Sequence, residues 1–141
     1  MLLALETSCD ETSAAVVHDG VVLANVVGSQ IALHAEYGGV VPELATREHL
    51  RNTPAVVSAA LRTAGIQAVD LDAIAATRGP GLPNALMIGL KAAQAMAYAL
   101  RKPFIGVHHH EAHLYSPWIE GVPPRGRFDL FEPNVSLIVS G

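Results

Sequence analysis

Apolar and polar positions alternate in short blocks at the start of the chain, and the blocks predict three neighbouring strands. The apolar runs cover residues 2–5, 14–17 and 21–27. Short β-branched runs bounded by polar residues are typical of strands, and Asp19 with Gly20 forms a hairpin dipeptide between the last two. Because strands joined by short connections lie side by side and antiparallel, this segment predicts a three-stranded meander.

The pattern then changes to helical spacings that alternate with buried apolar runs. Helical patterns cover 42–64, 84–100 and 109–118, strand patterns cover 73–77, 104–107 and 135–139, and loops are expected at 37–39 and 121–133. Pro54 predicts a kink or a division into two helices, and Gly65 predicts the end of that helical segment. The resulting order is β-β-β, then α-β-α-β, then α-β.

This order predicts an α/β fold. An antiparallel β-β-β meander followed by αβαβ crossovers gives a mixed sheet, for which we expect helices on both faces. That arrangement is found in ribonuclease H-like and actin-like folds. We expect residues 1–141 to form one lobe of a larger architecture, because the sequence stops at Gly141 directly after its last predicted strand.

Composition limits the partners and the compartment. The chain has 9 Lys and Arg against 13 Asp and Glu, so it has no excess of positive charge with which to displace phosphate counterions. Any nucleic acid is therefore expected to be held mainly by other parts or partners. The one cysteine, Cys9, excludes an internal disulfide and fits a reducing compartment. We predict a cytoplasmic protein without a membrane partner, since neither a signal peptide nor an uninterrupted apolar span is found.

A histidine cluster at 108–113 carries candidate metal chemistry. His109 and His113 are four residues apart, and on a helix two neutral imidazoles at this spacing can chelate zinc or iron. Glu111 lies about 200° around the helix from His109, and the H-E-x-x-H order of zinc proteases is missed by one residue. The alternative is a polar helix start with solvated histidines. Two ligands are too few for a tight site, so a third has to come from elsewhere.

Two loops offer candidate sites for an anionic ligand. Residues 6–12 contain three carboxylates and three hydroxyls, which can hold phosphate oxygens and a hydrated cation, or can form a solvated turn. Within it, Cys9 is interpreted as a small packing residue, because no basic neighbour in sequence would lower its pKa. The glycines of the 79–82 turn allow close approach of a ligand at the start of a helix, or form an ordinary turn.

Taken together, four segments resemble one family. They are 5–12 (LETSCDET), 37–45 (YGGVVPELA), 79–82 (GPGL) and 106–113 (GVHHHEAH). In this order and approximate spacing, they resemble the amino-terminal half of TsaD, the bacterial tRNA threonylcarbamoyladenosine transferases. That family was long labelled glycoprotease or O-sialoglycoprotein endopeptidase. TsaB, the shorter non-catalytic paralogue of similar fold, lacks the His-x-x-x-His pattern.

The resemblance implies an actin-like (ASKHA) fold of two lobes, of which residues 1–141 are the first and the second is absent. It implies transfer of a threonylcarbamoyl group from threonylcarbamoyl-adenylate to N6 of the tRNA adenosine next to the anticodon, with ATP or AMP as related ligands. It assigns one divalent metal ion, iron or zinc, to His109 and His113, with the third ligand in the missing half. The implied catalytic residues are Asp10 and Glu11, and the implied substrate-binding residues are Ser8, Thr12, Ile138, Val139, Ser140 and Gly141.

The resemblance also implies partners. We expect pairing with a TsaB-like paralogue through the helix that follows Pro42, contact with other proteins of the t6A complex, and tRNA binding through the full complex. Because the adenylate cleft lies between two lobes, the chain alone is expected to be inactive. Two alternatives stay open: a module that binds TsaB or a second copy of itself, and a metal-dependent glycoprotease, against which the missed H-E-x-x-H order speaks.

Overall fold

A computed structural model describes residues 1–138, whose strands form one mixed sheet. The strands are β1 Leu2–Glu6, β2 Glu11–His18, β3 Val21–Ser29, β4 Ala73–Gly79, β5 Phe104–His108, β6 Ile119–Glu120 and β7 Arg125–Gly126. The helices are α1 Ile31–Ala35, α2 Pro42–Ala64, α3 Pro83–Leu100 and α4 His109–Tyr115, with 3-10 turns at 68–70, 116–118 and 128–130.

The strand order is β5-β4-β1-β2-β3-β7-β6. Strands β1, β2 and β3 are antiparallel neighbours, and β4 and β5 run parallel to β1. Leu3 is paired with Val16 on one side and with Ile74 on the other, so these three side chains form a row on one face. The α/β fold with a meander followed by parallel crossovers is confirmed.

Both long helices pack on the same face of the sheet. The core combines the row at Leu3 with Val56 and Ala60 of α2 and with small residues of α3 such as Ala93. The expectation of helices on both faces is therefore wrong for the long helices, and the short α4 contacts β4 and β5 and lines the pocket at the other face. The reason is directional: β3 to β4 and β4 to β5 step the same way along the sheet, so right-handed crossovers put both helices on one side.

Helix α2 runs continuously from Pro42 to Ala64, so of the two outcomes expected at Pro54, a kink or a division into two helices, the division does not occur. Pro54 and Leu50, the residue whose carbonyl loses its helical partner, are both exposed, and water is available to replace the missing donor. The predicted end at Gly65 is confirmed, with the glycine in the left-handed region at φ 70°.

Three local expectations differ from the structure. Residues 31–35 form a short helix that the sequence pattern did not indicate, and the β6–β7 hairpin lies inside the predicted 121–133 loop and just before it. The last strand predicted at 135–139 is wrong over 135–138, where no strand is present, and Val139 lies outside the described residues. Within residues 1–138, no helix combines the length and hydropathy that a bilayer crossing requires.

Candidate functional site

A pocket of about 290 Å³ lies on the face of the sheet opposite α2 and α3, which we call the open face. Its floor is made of small side chains, and its wall is polar. The floor includes Ala4, Ala15 and Ala75, and the wall includes Glu6, Ser13, Asn25, Thr77, His109 and His113. Because successive strand side chains point to opposite faces, Ala4 and Glu6 face this pocket while Leu3 faces the helices. Glu6, Thr77 and His109 lie at the carboxyl ends of parallel strands, where α/β sheets bind ligands.

The two predicted metal ligands meet at this pocket. The chain leaves β5 at His108, which caps the start of α4 by accepting a 3.4 Å hydrogen bond from the Glu111 amide. One helical turn separates His109 from His113, and their Nε2 atoms are 3.2 Å apart. Two ligand nitrogens on a tetrahedral zinc ion would be about 3.3 Å apart, given Zn–N distances near ~2.05 Å. The pair therefore fits a metal ion, although no group of three metal-binding side chains occurs within residues 1–138.

Glu6 and Ser8 hold the other nitrogen of His109. Nδ1 of His109 lies 3.2 Å from the Ser8 hydroxyl and 3.6 Å from Oε2 of Glu6. The Glu6 carboxylate also accepts the Ser8 amide at 2.5 Å and the Thr77 hydroxyl. A carboxylate or hydroxyl on the second ring nitrogen fixes the tautomer that leaves Nε2 free as a ligand.

Sequence reasoning missed Glu6 and Thr77 as members of the site. The sequence pattern indicates Glu6 only as one of three carboxylates in the 6–12 segment, and Thr77 only as the end of a strand. One signal was available for Glu6: it continues a strand in which odd-numbered leucines are buried, so its side chain had to face the opposite side.

The loop after β1 is held by close backbone packing. The Ser8 carbonyl accepts the Leu82 amide at 2.7 Å, and a β-carbon on Gly81 would come within 2.6 Å of that carbonyl oxygen. On α3, Gly89 leaves room for Thr7, whose hydroxyl accepts the Gly89 amide at 3.1 Å and donates to the Ala85 carbonyl at 2.8 Å. Gly81 of the 79–82 turn therefore allows the turn to pack closely against the Ser8 backbone.

The other predicted residues of the loop lie away from the histidine pocket. Thr12 is buried on the helix-covered face, where its hydroxyl is 2.9 Å from Nδ1 of His49. Asp10 lines a second cavity of about 210 Å³ beside His34 and Val40, and Glu11 is exposed at the start of β2. Thus the structure brings together Ser8, His109 and His113, but not Asp10, Glu11 or Thr12.

The predicted substrate-binding residues at the end of the chain are described only at Ile138. Ile138 is half-buried and lies in no helix or strand. Val139, Ser140 and Gly141 lie outside the described residues.

Cys9 is exposed, so its interpretation as a packing residue is wrong. Partial burial of the sulfur, followed by the neighbouring charge of Asp10 and that of Glu6, raises the pKa of the thiol above its ordinary value. The thiol is therefore less reactive at neutral pH than an unstructured one.

Comparison with known proteins was made against a family model and against curated relatives. The model of the TsaD family, described as tRNA N6-adenosine threonylcarbamoyltransferase, matches residues 21–141. A protein of that name from Chlorobium phaeovibrioides is 57% identical over all of this chain, and one from Thermus thermophilus is 49% identical over 99% of it. The chain covers 40% and 41% of those two relatives, so it spans less than half of their length.

Two solved structures from Pseudomonas aeruginosa are similar in fold. One is described as an uncharacterized protein with similarity to peptidase YEAZ, and it matches with a TM-score of 0.59 at 32% identity. The other is YeaZ, with a TM-score of 0.57 at 31% identity. Each match covers 76% of this chain and 42% of the other. These neighbours have the actin-like fold, and the fold expected from the sequence is confirmed.

Proposed function

Because the chain belongs to the TsaD family of tRNA N6-adenosine threonylcarbamoyltransferases, we propose that it is the N-terminal lobe of such an enzyme. The whole protein would transfer the threonylcarbamoyl group of threonylcarbamoyl-adenylate to N6 of the tRNA adenosine next to the anticodon. The chain spans about 40% of its curated relatives, so the activity is proposed for the whole protein and not for this lobe alone. A cytoplasmic location is part of the proposal, because unmodified tRNA is found there.

The observation that carries the proposal is the convergence of His109 and His113 at the open-face pocket. Their Nε2 atoms, 3.2 Å apart, would hold one iron or zinc ion, and Glu6 with Ser8 would orient the His109 ring. Such an ion, when bound, supplies a Lewis acid that polarises a carbonyl oxygen.

The 8–12 loop supplies the groups proposed to face the adenylate. Asp10 and Glu11 would hold a hydrated cation beside the phosphate, since carboxylates are the ligands such cations prefer. Ser8 would contact the ligand at the rim of the histidine pocket, whereas the Thr12 hydroxyl already contacts His49 and would support the loop. Ile138 and the three residues after it are proposed as a second loop on the adenylate.

Transfer to tRNA tests the proposal. Purified protein is incubated with threonylcarbamoyl-adenylate and unmodified tRNA, and the nucleosides are analysed by mass spectrometry. We expect modified adenosine with the full-length gene product, none with residues 1–141 alone, and none with full-length His109→Ala. Product formed by residues 1–141 alone would contradict the two-lobe proposal. Equal metal content of wild type and His109→Ala by elemental analysis would contradict the assignment of the ligands.

A second candidate function is favoured by the outer surface of α2 and α3. A groove of about 410 Å³ runs between them, lined by Leu50, Pro54, Met87 and Ile88 among others. Leu50 is 65% exposed and Met87 is 50% exposed, although both lie on helices that have a buried face. Adjacent exposed apolar side chains of this kind are typical of protein-binding surfaces. We therefore propose that this groove binds a TsaB-like paralogue or a second copy of the chain, and that other proteins of the t6A complex join the assembly.

Sedimentation velocity distinguishes these partners. The chain is run alone and with the TsaB-like paralogue of the same organism, as wild type and as Leu50→Glu. We expect a complex that Leu50→Glu weakens. Ala55→Glu is the matched control, because it adds the same single negative charge at an exposed position of α2 that does not line the groove. A strict monomer without affinity for the paralogue would end this second proposal and leave the first untouched.

A further inference from the structure

Two histidines are buried away from the histidine pocket, and the proposed chemistry uses neither. His49 of α2 is 0% exposed and His34 of α1 is 3% exposed. Burial of two imidazoles requires that every ring nitrogen finds a partner, because an unsatisfied buried polar group costs about 1–3 kcal/mol. Within residues 1–138, no buried side-chain nitrogen or oxygen lacks a hydrogen-bond partner.

The hydrogen bonds of these two histidines form one connected network that runs through Gln30. Nε2 of His49 lies 2.9 Å from the Cys9 carbonyl oxygen, and its Nδ1 lies 2.9 Å from the Thr12 hydroxyl and 3.4 Å from Nε2 of Gln30. Oε1 of Gln30 is 3.1 Å from Nε2 of His34, whose Nδ1 accepts the Val41 amide at 3.3 Å.

The backbone groups at the two ends fix the direction of the bonds that join His49, Gln30 and His34. A carbonyl oxygen only accepts, so Nε2 of His49 carries the hydrogen and donates to Cys9. A backbone amide only donates, so Nδ1 of His34 accepts and Nε2 donates to Gln30. The Gln30 amide nitrogen then faces Nδ1 of His49 as a donor, which is the orientation that the distances show. The donors and acceptors of this network are consistent with one another, and the direction of one bond cannot be reversed without reversing the next.

These hydrogen bonds hold the 8–12 segment from the side opposite the histidine pocket. His49 contacts the segment at the Cys9 carbonyl and again at the Thr12 hydroxyl. The backbone amide of Gln30 donates to the Asp10 carbonyl at 3.0 Å. Asp10 lies between these contacts and is half-buried, and its side chain interacts with the Cys9 thiol. Glu11 is already the first residue of β2 and is held by its pairing with Ser29. The contacts made by His49 and Gln30 therefore act on the turn at Cys9 and Asp10.

We propose that His49 is a positioning residue, which sets the conformation of the turn that precedes β2 and so places Asp10. The importance of that placement rests on the proposed function, which puts the Asp10 carboxylate beside the adenylate phosphate. The positioning itself does not depend on it, because the contacts to Cys9 and Thr12 exist in the lobe alone.

The protein contains its own reporter of the conformation of this segment. Cys9 is the one cysteine of the sequence, its side chain is exposed, and its backbone carbonyl accepts the hydrogen bond from His49.

Three variants separate the two contacts of the His49 ring. In His49→Gln, an amide nitrogen can still donate to Cys9. In His49→Asn, the shorter side chain keeps an acceptor for Thr12 but does not reach Cys9. His49→Leu keeps neither contact.

The test is the rate at which iodoacetamide alkylates Cys9 in residues 1–141, followed by mass spectrometry. We expect His49→Leu and His49→Asn to react about fivefold faster than wild type, the change expected when one hydrogen bond of ordinary strength is lost, and His49→Gln to react at nearly the wild-type rate. Thr53→Val is the matched control: the buried Thr53 hydroxyl donates to the His49 backbone carbonyl at 2.6 Å, so its loss removes a buried hydrogen bond beside His49 without changing the imidazole. Its rate should equal that of wild type.

Urea unfolding is measured on every variant, so that rates are compared only where the protein is folded. If His49→Leu does not fold, the comparison of His49→Asn with His49→Gln decides the matter. Equal rates in all folded variants, or equal acceleration in Thr53→Val, would overturn the positioning role.

Protection of Cys9 by AMP in the full-length protein separates this inference from the proposed function. Protection in wild type that is lost in His49→Asn supports both. Absence of protection in wild type, together with an altered rate in His49→Asn, counts against the adenylate site and leaves the positioning role standing. Equal protection in wild type and His49→Asn would show that His49 does not place the loop for the nucleotide.

Discussion

The two faces of the central sheet differ at positions one residue apart. On the helix-covered face, Val16, Leu3 and Ile74 form a row across β2, β1 and β4, and all three are 0% exposed. The neighbouring row on the open face is Ala15, Ala4 and Ala75. Large branched side chains fill the space under α2 and α3, whereas alanines leave the space in which Glu6, His109 and His113 lie.

The difference shows how one set of strands serves stability and chemistry separately. Burial of branched side chains stabilises the fold by about 1.5 to 3 kcal/mol for each residue. The alanine row contributes much less, and it leaves a pocket whose polar wall comes from strand ends and from α4. Substitutions at successive positions of one strand should therefore have alternately large and small effects on the free energy of unfolding.

Leu3→Ala is expected to give the largest effect. Removing a fully buried leucine from the helix-covered face should lower the free energy of unfolding by about 2 to 5 kcal/mol. Leu2→Ala, the adjacent half-buried position on the opposite face, should cost less than half as much. Equilibrium urea unfolding followed by circular dichroism measures both. Equal losses at the two positions would break the comparison between the faces.

Glu6→Gln is expected to weaken metal binding without a comparable loss of stability. Replacing the carboxylate near Nδ1 of His109 should lower zinc affinity about 10- to 100-fold, as is usual for groups that orient a ligating histidine. Competition with a chromophoric chelator measures the affinity. Glu111→Gln is the control, because Glu111 lies on the same helix as His109 but does not line the histidine pocket. An unchanged affinity in Glu6→Gln would show that Ser8 alone orients the ring.

Thr12→Val should cost about 1 to 2 kcal/mol of unfolding free energy, because the Thr12 hydroxyl is a buried partner of His49. Ser13→Ala, the next residue on the open face, should change stability by less than about 0.5 kcal/mol. The same urea experiment compares them. A larger loss at Ser13 than at Thr12 would mean that the alternation of faces does not extend to this end of β2.

The smallest expected effect concerns Cys9. Because burial, Asp10 and Glu6 raise the pKa of its thiol, the thiolate fraction at neutral pH is reduced, and the alkylation rate should rise at higher pH than for an unstructured cysteine peptide. Asp10→Asn removes one of the negative charges and should move the profile back toward that of the peptide. A wild-type profile that coincides with the peptide's would contradict the electrostatic description of this loop.

Much of the fold could be predicted from local signals. Pro42 and Gly65 mark the ends of α2, and the apolar runs mark the five longer strands. One difference originates in β2, which begins at Glu11 and not at Ala14. Thr12 is therefore a strand residue whose side chain faces the helices, whereas the apolar run alone had placed it in the loop before the strand.

The site was only partly predictable, for a different reason. The helical spacing of His109 and His113 is a local signal, and it pointed to two ligands that the structure brings together. The contacts of Glu6 with Thr77, 71 residues away, and with His109 depend on which strands become neighbours. Hydrophobic periodicity gives no information about such pairs, nor about the bond between His49 and Cys9.

The approach of Gly81 to the Ser8 carbonyl has a consequence for how the rim of the pocket responds to solvent. The rim is held in position by the steric contact between Gly81 and Ser8 and by a backbone hydrogen bond, and neither depends on ionic strength. The pairing of Glu6 with His109 is partly exposed and is an ion pair only when the imidazole is protonated, and dissolved ions screen it in that state. Raising the salt concentration should therefore loosen a protonated imidazole while the opening that frames it keeps its shape.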